Sequence, residues 1–286
     1  MSLIGTMGSG VSALQTFMKG LEVIGNNIAN VNTTGFKGST AKYADSFSNI
    51  LVQSSSNGVT TTPAVAVGTG VTLSGVTTNY TQGALSPTGK STDLGISGNG
   101  FFRVKNPNSG EEYVTRAGDF RWDEQGYLVT NDGYRVQGLV GTPPTTVGDI
   151  KLATLAPTAP QLQSVAIDRS GNVIESYADG STAVSGQVLL QNFKDPAALV
   201  KQGNNLYSGI EAAGPSNGSV ALLADGSNQP GSNGLGYIQS GTLELSNVDL
   251  TEQFSELITT QRSFQAGSRL LTVSDSVLED IVNLKR

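Results

Sequence analysis

The 286-residue chain predicts an α+β fold. Discontinuous N- and C-terminal helices pack as a coiled-coil-like pair, and a central, mainly antiparallel β-domain lies between them in sequence. Two apolar stripes and one change of texture carry this expectation. Near the N-terminus, Leu14, Phe17, Leu21, Ile24, Ile28 and Val31 alternate spacings of three and four. Near the C-terminus, Leu250, Leu257, Phe264, Leu271 and Leu278 repeat every seven residues. Both spacings line apolar side chains along one face of a helix. Between them Gly, Ser, Thr and Asn are abundant and charge is sparse, the texture of short strands joined by tight turns. Each stripe needs a partner, and the opposite end of the chain offers one. Closure through the termini suits a subunit that stacks into a filament better than it suits an enzyme.

Residues 1–10 are small and Gly-rich and are expected to be disordered in the isolated chain. The first helix is expected over 11–30. Gly20 and Gly25 weaken it by about 1 kcal/mol each relative to Ala, and fit either simple tolerance or a close approach of two helices. The run from Asn26 to Lys37 ends it, because Asn and Thr compete for backbone hydrogen bonds and Gly35 can take positive φ. Residues 36–80 read as an extended connector with short strands, with partial alternation from Val65 to Val76.

Residues 81–225 read as one antiparallel β-domain. Gln125-Gly126, Asp132-Gly133, Ser170-Gly171-Asn172 and Asp179-Gly180 punctuate it as turns. Gln187-Val188-Leu189-Leu190 is a buried strand, and Pro143-Pro144 with Pro157 to Pro160 bracket a surface excursion. Residues 226–245 return to connector texture. The expected domains are therefore 1–35 with 246–286 (helical), 36–80 with 226–245 (connector) and 81–225 (β).

The last helix is expected from Asp249, a capping residue with Glu252 three positions on. Lys285 and Arg286 suit its negative pole. Residues 250–284 would reach roughly 50 Å at ~1.5 Å per residue. Four residues after each heptad position stand Phe254, Gln261, Ser268, Asp275 and Val282. The middle three are polar, so the stripe is imperfect as a closed two-stranded seam and points to further contacts. A first helix of about 20 residues cannot cover one this long. Leu278, Ile281 and Val282 are accordingly expected to stay exposed as an association surface.

Chemistry finds little to work with. The net charge is −6 and no basic stripe appears, which argues against nucleic acid. The absence of Cys and His removes thiol chemistry, the commonest general base and the commonest metal ligand. Gly89-Lys90-Ser91 lacks the upstream glycine of a phosphate loop. Gly95, Gly98 and Gly100 have the wrong order for a dinucleotide fingerprint and read as a turn before Phe101-Phe102. Glu111, Glu112, Asp119, Asp123 and Glu124 read as a solvated rim, and Trp122 with Phe101-Phe102 as β-core. Asn32-Thr33-Thr34 and Asn217-Gly218-Ser219 fit a glycosylation pattern that matters only after secretory targeting. No catalytic, cofactor or metal site is expected. No charged n-region precedes an apolar stretch and no run is long enough to span a bilayer, so composition alone defaults to the cytoplasm.

Four separated motifs change that default. Gly25-Asn26-Asn27-Ile28-Ala29-Asn30, continuing through Thr34-Gly35-Phe36-Lys37, is the first. Gln82-Gly83-Ala84-Leu85 with Asp93-Leu94-Gly95-Ile96-Ser97-Gly98-Asn99-Gly100-Phe101-Phe102 is the second. Tyr113-Val114-Thr115-Arg116-Ala117-Gly118-Asp119-Phe120 with Gly126-Tyr127-Leu128-Val129 is the third. Leu243-Glu244-Leu245-Ser246-Asn247-Val248-Asp249-Leu250 with Gln261-Arg262 is the fourth. Together they resemble the bacterial flagellar axial (rod and hook) proteins over nearly the whole chain.

Within that family, Tyr43 to Phe47, Val67 to Val71 and Gly75 to Tyr80 look hook-like. The stretch 140–160 is nevertheless too short for the outer domain many hook proteins carry, so the resemblance is to a short form. It implies a hook subunit that polymerises helically into a hollow, flexible, torque-transmitting tube, with the distal rod as the alternative. It also implies the helices as inner wall, and Asn26, Asn27, Asn30, Gly35, Phe36 and Lys37 as family motif residues. The implied partners are further copies of the chain, rod, hook-cap and hook–filament junction proteins, and a type III export apparatus acting without a cleaved signal. No nucleic acid and no membrane insertion are implied.

Overall fold

A computed structural model of the chain describes residues 3–52, 54–56, 61–62, 64–141, 143–152 and 161–284. Pro157 to Pro160, Lys285 and Arg286 lie outside the described residues. The chain forms two compact units. One takes the described residues of 1–29, 38–79 and 248–286, and the other takes 30–37 with 80–247. This redraws the expected three-part division. Residues 38–79 group with the helices, and 226–245 belong to the β unit.

In the first unit the N-terminal helix is Leu3–Ala29 and the C-terminal helix is Leu250–Leu284. They run antiparallel, since Asn27 bonds Gln253 at one end while Gly10 lies against Leu271 at the other. The N-terminal helix starts well before Val11, through the glycines expected to be disordered. A helical glycine costs about 1 kcal/mol relative to Ala, but packing on a neighbouring helix outweighs such propensities. Ala29 ends it, so Val31 stands beyond the helix. The C-terminal helix starts where its cap dictates. Asp249 Oδ1 accepts the N–H groups of Thr251 at 2.7 Å and Glu252 at 3.4 Å.

Residues 39–78 fold back on themselves as an antiparallel ribbon. Ser39–Asp45 pairs with Val71–Thr78, Ser48–Val52 with Val65–Gly68, and Ser55–Ser56 with Thr61–Thr62. The ribbon is tied to the N-terminal helix. Thr16 Oγ1 donates to the Val71 carbonyl at 3.1 Å, and the Phe17 ring meets Tyr43 edge-on at 6.0 Å.

The second unit is built on a sheet with twelve strands among the described residues. Its main path runs Leu162–Ile167, Asn172–Tyr177, Thr182–Val188, Arg135–Val140, Phe101–Lys105, Glu112–Thr115, Leu206–Ser208 and Val200–Gly203, with antiparallel neighbours throughout. Gly126, Gly133, Gly171 and Gly180 all take positive φ at the expected turns. Leu94, Ile96, Phe102, Val104, Leu128, Val136, Ile150, Val188, Leu190 and Ile238 form a fully buried core, and Trp122 packs at its edge. Phe101 belongs to a separate cluster with Val114, Phe193 and Tyr207. The C-terminal part of the unit closes it. Tyr237–Ser240 pairs with Leu94–Ser97, and Thr242–Glu244 pairs with Leu85–Pro87. Strand pairing is therefore why 226–245 is no connector.

Candidate self-assembly surface

The expected stripes meet along the helix pair. Ile24 is buried, and Leu14, Phe17, Leu21 and Ile28 are half-buried on the N-terminal helix. Leu257, Phe264, Leu271 and Leu278 are half-buried on the C-terminal helix, while Leu250 at its start is exposed. Small residues let the helices approach. A Cβ added at Gly267 would lie 3.3 Å from Leu14 Cδ2, and one at Gly10 would lie 3.1 Å from Leu271 Cδ2. Of the glycines singled out from sequence, Gly20 makes room for the Tyr43 hydroxyl, with Thr260 Cγ2 of the C-terminal helix 3.7 Å from where a Cβ would stand, and Gly25, with nothing within 4 Å, is simply tolerated.

The companion row of the C-terminal seam stands three residues, not four, after each of the first four heptad positions. It consists of Gln253, Thr260, Gly267 and Ser274, all buried or half-buried. Buried Asn27 fixes the register. Its Nδ2 donates to Gln253 Oε1 at 2.8 Å and to the Ser39 carbonyl at 2.7 Å, while its Oδ1 accepts from the Ser39 N–H at 3.0 Å. An unpartnered buried amide is costly, so these bonds favour a single register.

A second apolar row on the C-terminal helix faces away from the seam. Leu270, Val273, Val277, Ile281 and Leu284 are between 38% and 86% exposed. Their spacings of three and four place them on one helical face. Val11 and Met18, seven residues apart on the N-terminal helix, are also exposed. Of the residues expected to stay exposed, Ile281 and Val282 do, whereas Leu278 is half-buried in the seam. This row was legible as a 3-4-4-3 spacing, but the stronger seven-residue repeat masks it.

The motif residues from Asn30 to Lys37 lie in the β unit. Asn30 accepts from the Thr33 N–H at 3.1 Å and, through Oδ1, from Thr33 Oγ1 at 3.0 Å. Gly35 takes φ of 68°, and a Cβ there would come within 2.6 Å of the Ala117 nitrogen. Only glycine meets both conditions. Phe36 is buried beneath the Lys201 ammonium, 4.8 Å from its ring centre. Asn26, by contrast, is exposed on the helix.

Lys37 has zero exposure and donates to Glu244 Oε1 at 2.6 Å and to the Thr81 carbonyl at 2.8 Å. Arg116 Nη1 donates to Glu244 Oε2 at 3.1 Å. Burial pushes the pKa of both cations down, and Glu244 partly opposes this. Sequence reasoning quoted Arg116 and Glu244 inside motifs but missed the cluster, because its members are up to 207 residues apart.

Three of the acidic side chains that chemistry could have used have partners within the β unit. Glu112 pairs with Arg103, Asp123 Oδ1 caps the turn at Gln125 and Tyr127, and Asp119 accepts from Asn131. Burial raises the Asp119 pKa. No grouping of acidic side chains among the described residues could hold a metal ion. No described helix is long and apolar enough to cross a membrane.

Three family patterns match the chain. Residues 7–37 match "Flagella basal body rod protein", 95–175 match "Flagellar hook protein FlgE/F/G D1 domain", and 239–284 match "Flagellar basal body rod FlgEFG protein C-terminal". The flagellar basal-body rod protein FlgG of Bacillus subtilis is 40% identical, covering 99% of this chain and 100% of that protein. FlgG of Caulobacter vibrioides is 33% identical over 100% of each. The flagellar hook protein FlgE of Salmonella typhimurium is 24% identical across a 422-residue alignment, covering 96% of this chain and 98% of that protein.

Proposed function

The chain belongs to the family of flagellar rod and hook proteins, and within it we propose that it is a structural subunit of the distal rod of the flagellar basal body. The observation that carries this reading is similarity from end to end at matched length. The Bacillus rod protein aligns over both whole chains at 40% identity. The hook protein aligns at 24% across a span far longer than this chain, the mark of segments that the hook protein has and this chain lacks. The chain itself agrees. Thr146–Asp149 folds straight back on Arg135–Val140, leaving too few residues before Leu162 for an inserted domain. The hook reading suggested by Tyr43 to Phe47 and Gly75 to Tyr80 gives way accordingly.

In this reading the subunit polymerises helically with its own kind. The seam residues Leu14, Phe17, Leu21, Ile24, Ile28, Leu257, Phe264, Leu271 and Leu278 hold the helix pair together inside one subunit. The outward row Leu270, Val273, Val277, Ile281 and Leu284 carries contacts between subunits. A head-to-tail interface that does not close on itself generates a filament. The chain reaches its place by flagellar export and adjoins other rod subunits and the hook. The test is polymerisation of the purified chain viewed by electron microscopy. Straight hollow tubes are expected. Curved, bending tubes would return the hook reading, and a chain that stays monomeric at every concentration would contradict both.

A further inference from the structure

The chain passes between its two compact units at 29/30, 37/38, 79/80 and 247/248. Within the β unit, the segments beside these points converge on one carboxylate. Glu244 Oε1 accepts from Lys37 Nζ at 2.6 Å and from the Gly83 N–H at 2.9 Å, and Oε2 accepts from Arg116 Nη1 at 3.1 Å. The Glu244 backbone carbonyl accepts the Gly35 N–H at 2.7 Å. Lys37 reaches on to the Thr81 carbonyl, Asn247 Nδ2 donates to the same carbonyl at 3.1 Å, and the Asn247 N–H donates to the Phe36 carbonyl at 3.4 Å.

Two buried cations therefore share one buried anion. The side chains of Lys37 and Glu244 have zero exposure and that of Arg116 has 4%. Arg116 Nη2 also donates to the Gly98 carbonyl at 3.0 Å and its guanidinium lies 5.1 Å from the Phe101 ring centre. Its Nε has no hydrogen-bond partner among the described residues. The other groups facing the cluster are Tyr207, Tyr80 and Lys201, whose ammonium donates to the Lys37 carbonyl at 2.9 Å. None of them is a carboxylate.

We propose that Glu244 is a charge clamp on the boundary segments of the β unit. Its single negative charge holds 30–37, 80–83 and 242–247 closed, and loss of that charge releases these segments while the sheet stays folded. Removing the anion strands two buried cations, the costly way to break a buried ion cluster. Removing Lys37 instead leaves one cation on one anion. The core strands depend on a separate apolar cluster, so the boundary can open as a local unit.

The experiment is amide hydrogen exchange on the full chain, comparing wild type with Glu244→Gln and Lys37→Met. Glu244→Gln is expected to speed exchange at least about tenfold in 30–37, 81–83 and 242–247. Phe101–Lys105 and Arg135–Val140 keep their wild-type protection. Lys37→Met is expected to change the same segments by less than about threefold. Wild-type exchange in Glu244→Gln, equal effects in the two variants, or joint loss of boundary and core would each overturn the clamp. If Glu244→Gln does not fold, the double variant Glu244→Gln/Arg116→Met leaves only Lys37, which unlike Arg can shed its proton. Its boundary segments are then expected to open at neutral pH and close as pH rises towards the ordinary lysine value of 10.5. Unchanged protection at both pH values would overturn the proposal.

Discussion

Lys37 makes the energetics of the boundary measurable at the level of one proton. Burial is the first cause of its lowered pKa, and Glu244 opposes burial while Arg116 reinforces it. Its folded pKa thus lies below the ordinary lysine value of 10.5, so between the two values the unfolded chain binds more protons than the folded one. Stability must then rise with pH across that window, by at most about 1.4 kcal/mol per pH unit from this group. Tyr207, whose pKa burial raises, acts in the opposite sense above the ordinary tyrosine range, so the slope from Lys37 is to be sought below that range. Urea unfolding followed from neutral pH up to the ordinary tyrosine range should show a midpoint that rises with pH towards the upper end in wild type and a flatter response in Lys37→Met. A wild-type midpoint that falls over this interval would show that the Lys37 ammonium is stabilised, not strained.

At the scale of the element, the account divides the C-terminal helix into a seam and an outward row, and the two are separable by mutation. Leu271 and Leu278 stand in the seam, so an acidic residue there damages the subunit itself. Val273→Asp and Ile281→Asp should spare it. Each removes a large apolar side chain worth about 1.5–3 kcal/mol if buried on assembly, or roughly 10- to 100-fold in association. Both variants should keep wild-type helical content by circular dichroism while raising the concentration needed for polymerisation. Unchanged polymerisation in both would remove the outward row from the interface.

How far the sequence could be read also becomes clear at this scale. The start of the C-terminal helix was legible to the residue because Asp249 is a local cap. The β turns were legible because glycine marks positive φ at Gly126, Gly133, Gly171 and Gly180. The N-terminal helix start was not, because the glycines at 5, 8 and 10 argue against helix and packing that no local pattern shows, such as the contact of Gly10 with Leu271 and of Ser12 with Val71, explains why it persists. The companion row was misplaced by one residue for a similar reason. Gln253, Thr260, Gly267 and Ser274 look unsuited to a seam until Asn27 and Leu14 are placed opposite them. The Lys37–Arg116–Glu244 cluster joins residues that no local pattern connects.

For the whole molecule, the central claim is that this is a rod subunit whose terminal helices carry assembly. Matched length favours rod over hook: the Bacillus rod protein aligns end to end, whereas the hook protein aligns across a much longer span. The most direct measurement is electron microscopy of basal bodies from a strain of the source bacterium with this gene deleted. The account predicts a truncated rod carrying no hook. A complete rod that ends without a hook would contradict it and assign the subunit to the hook.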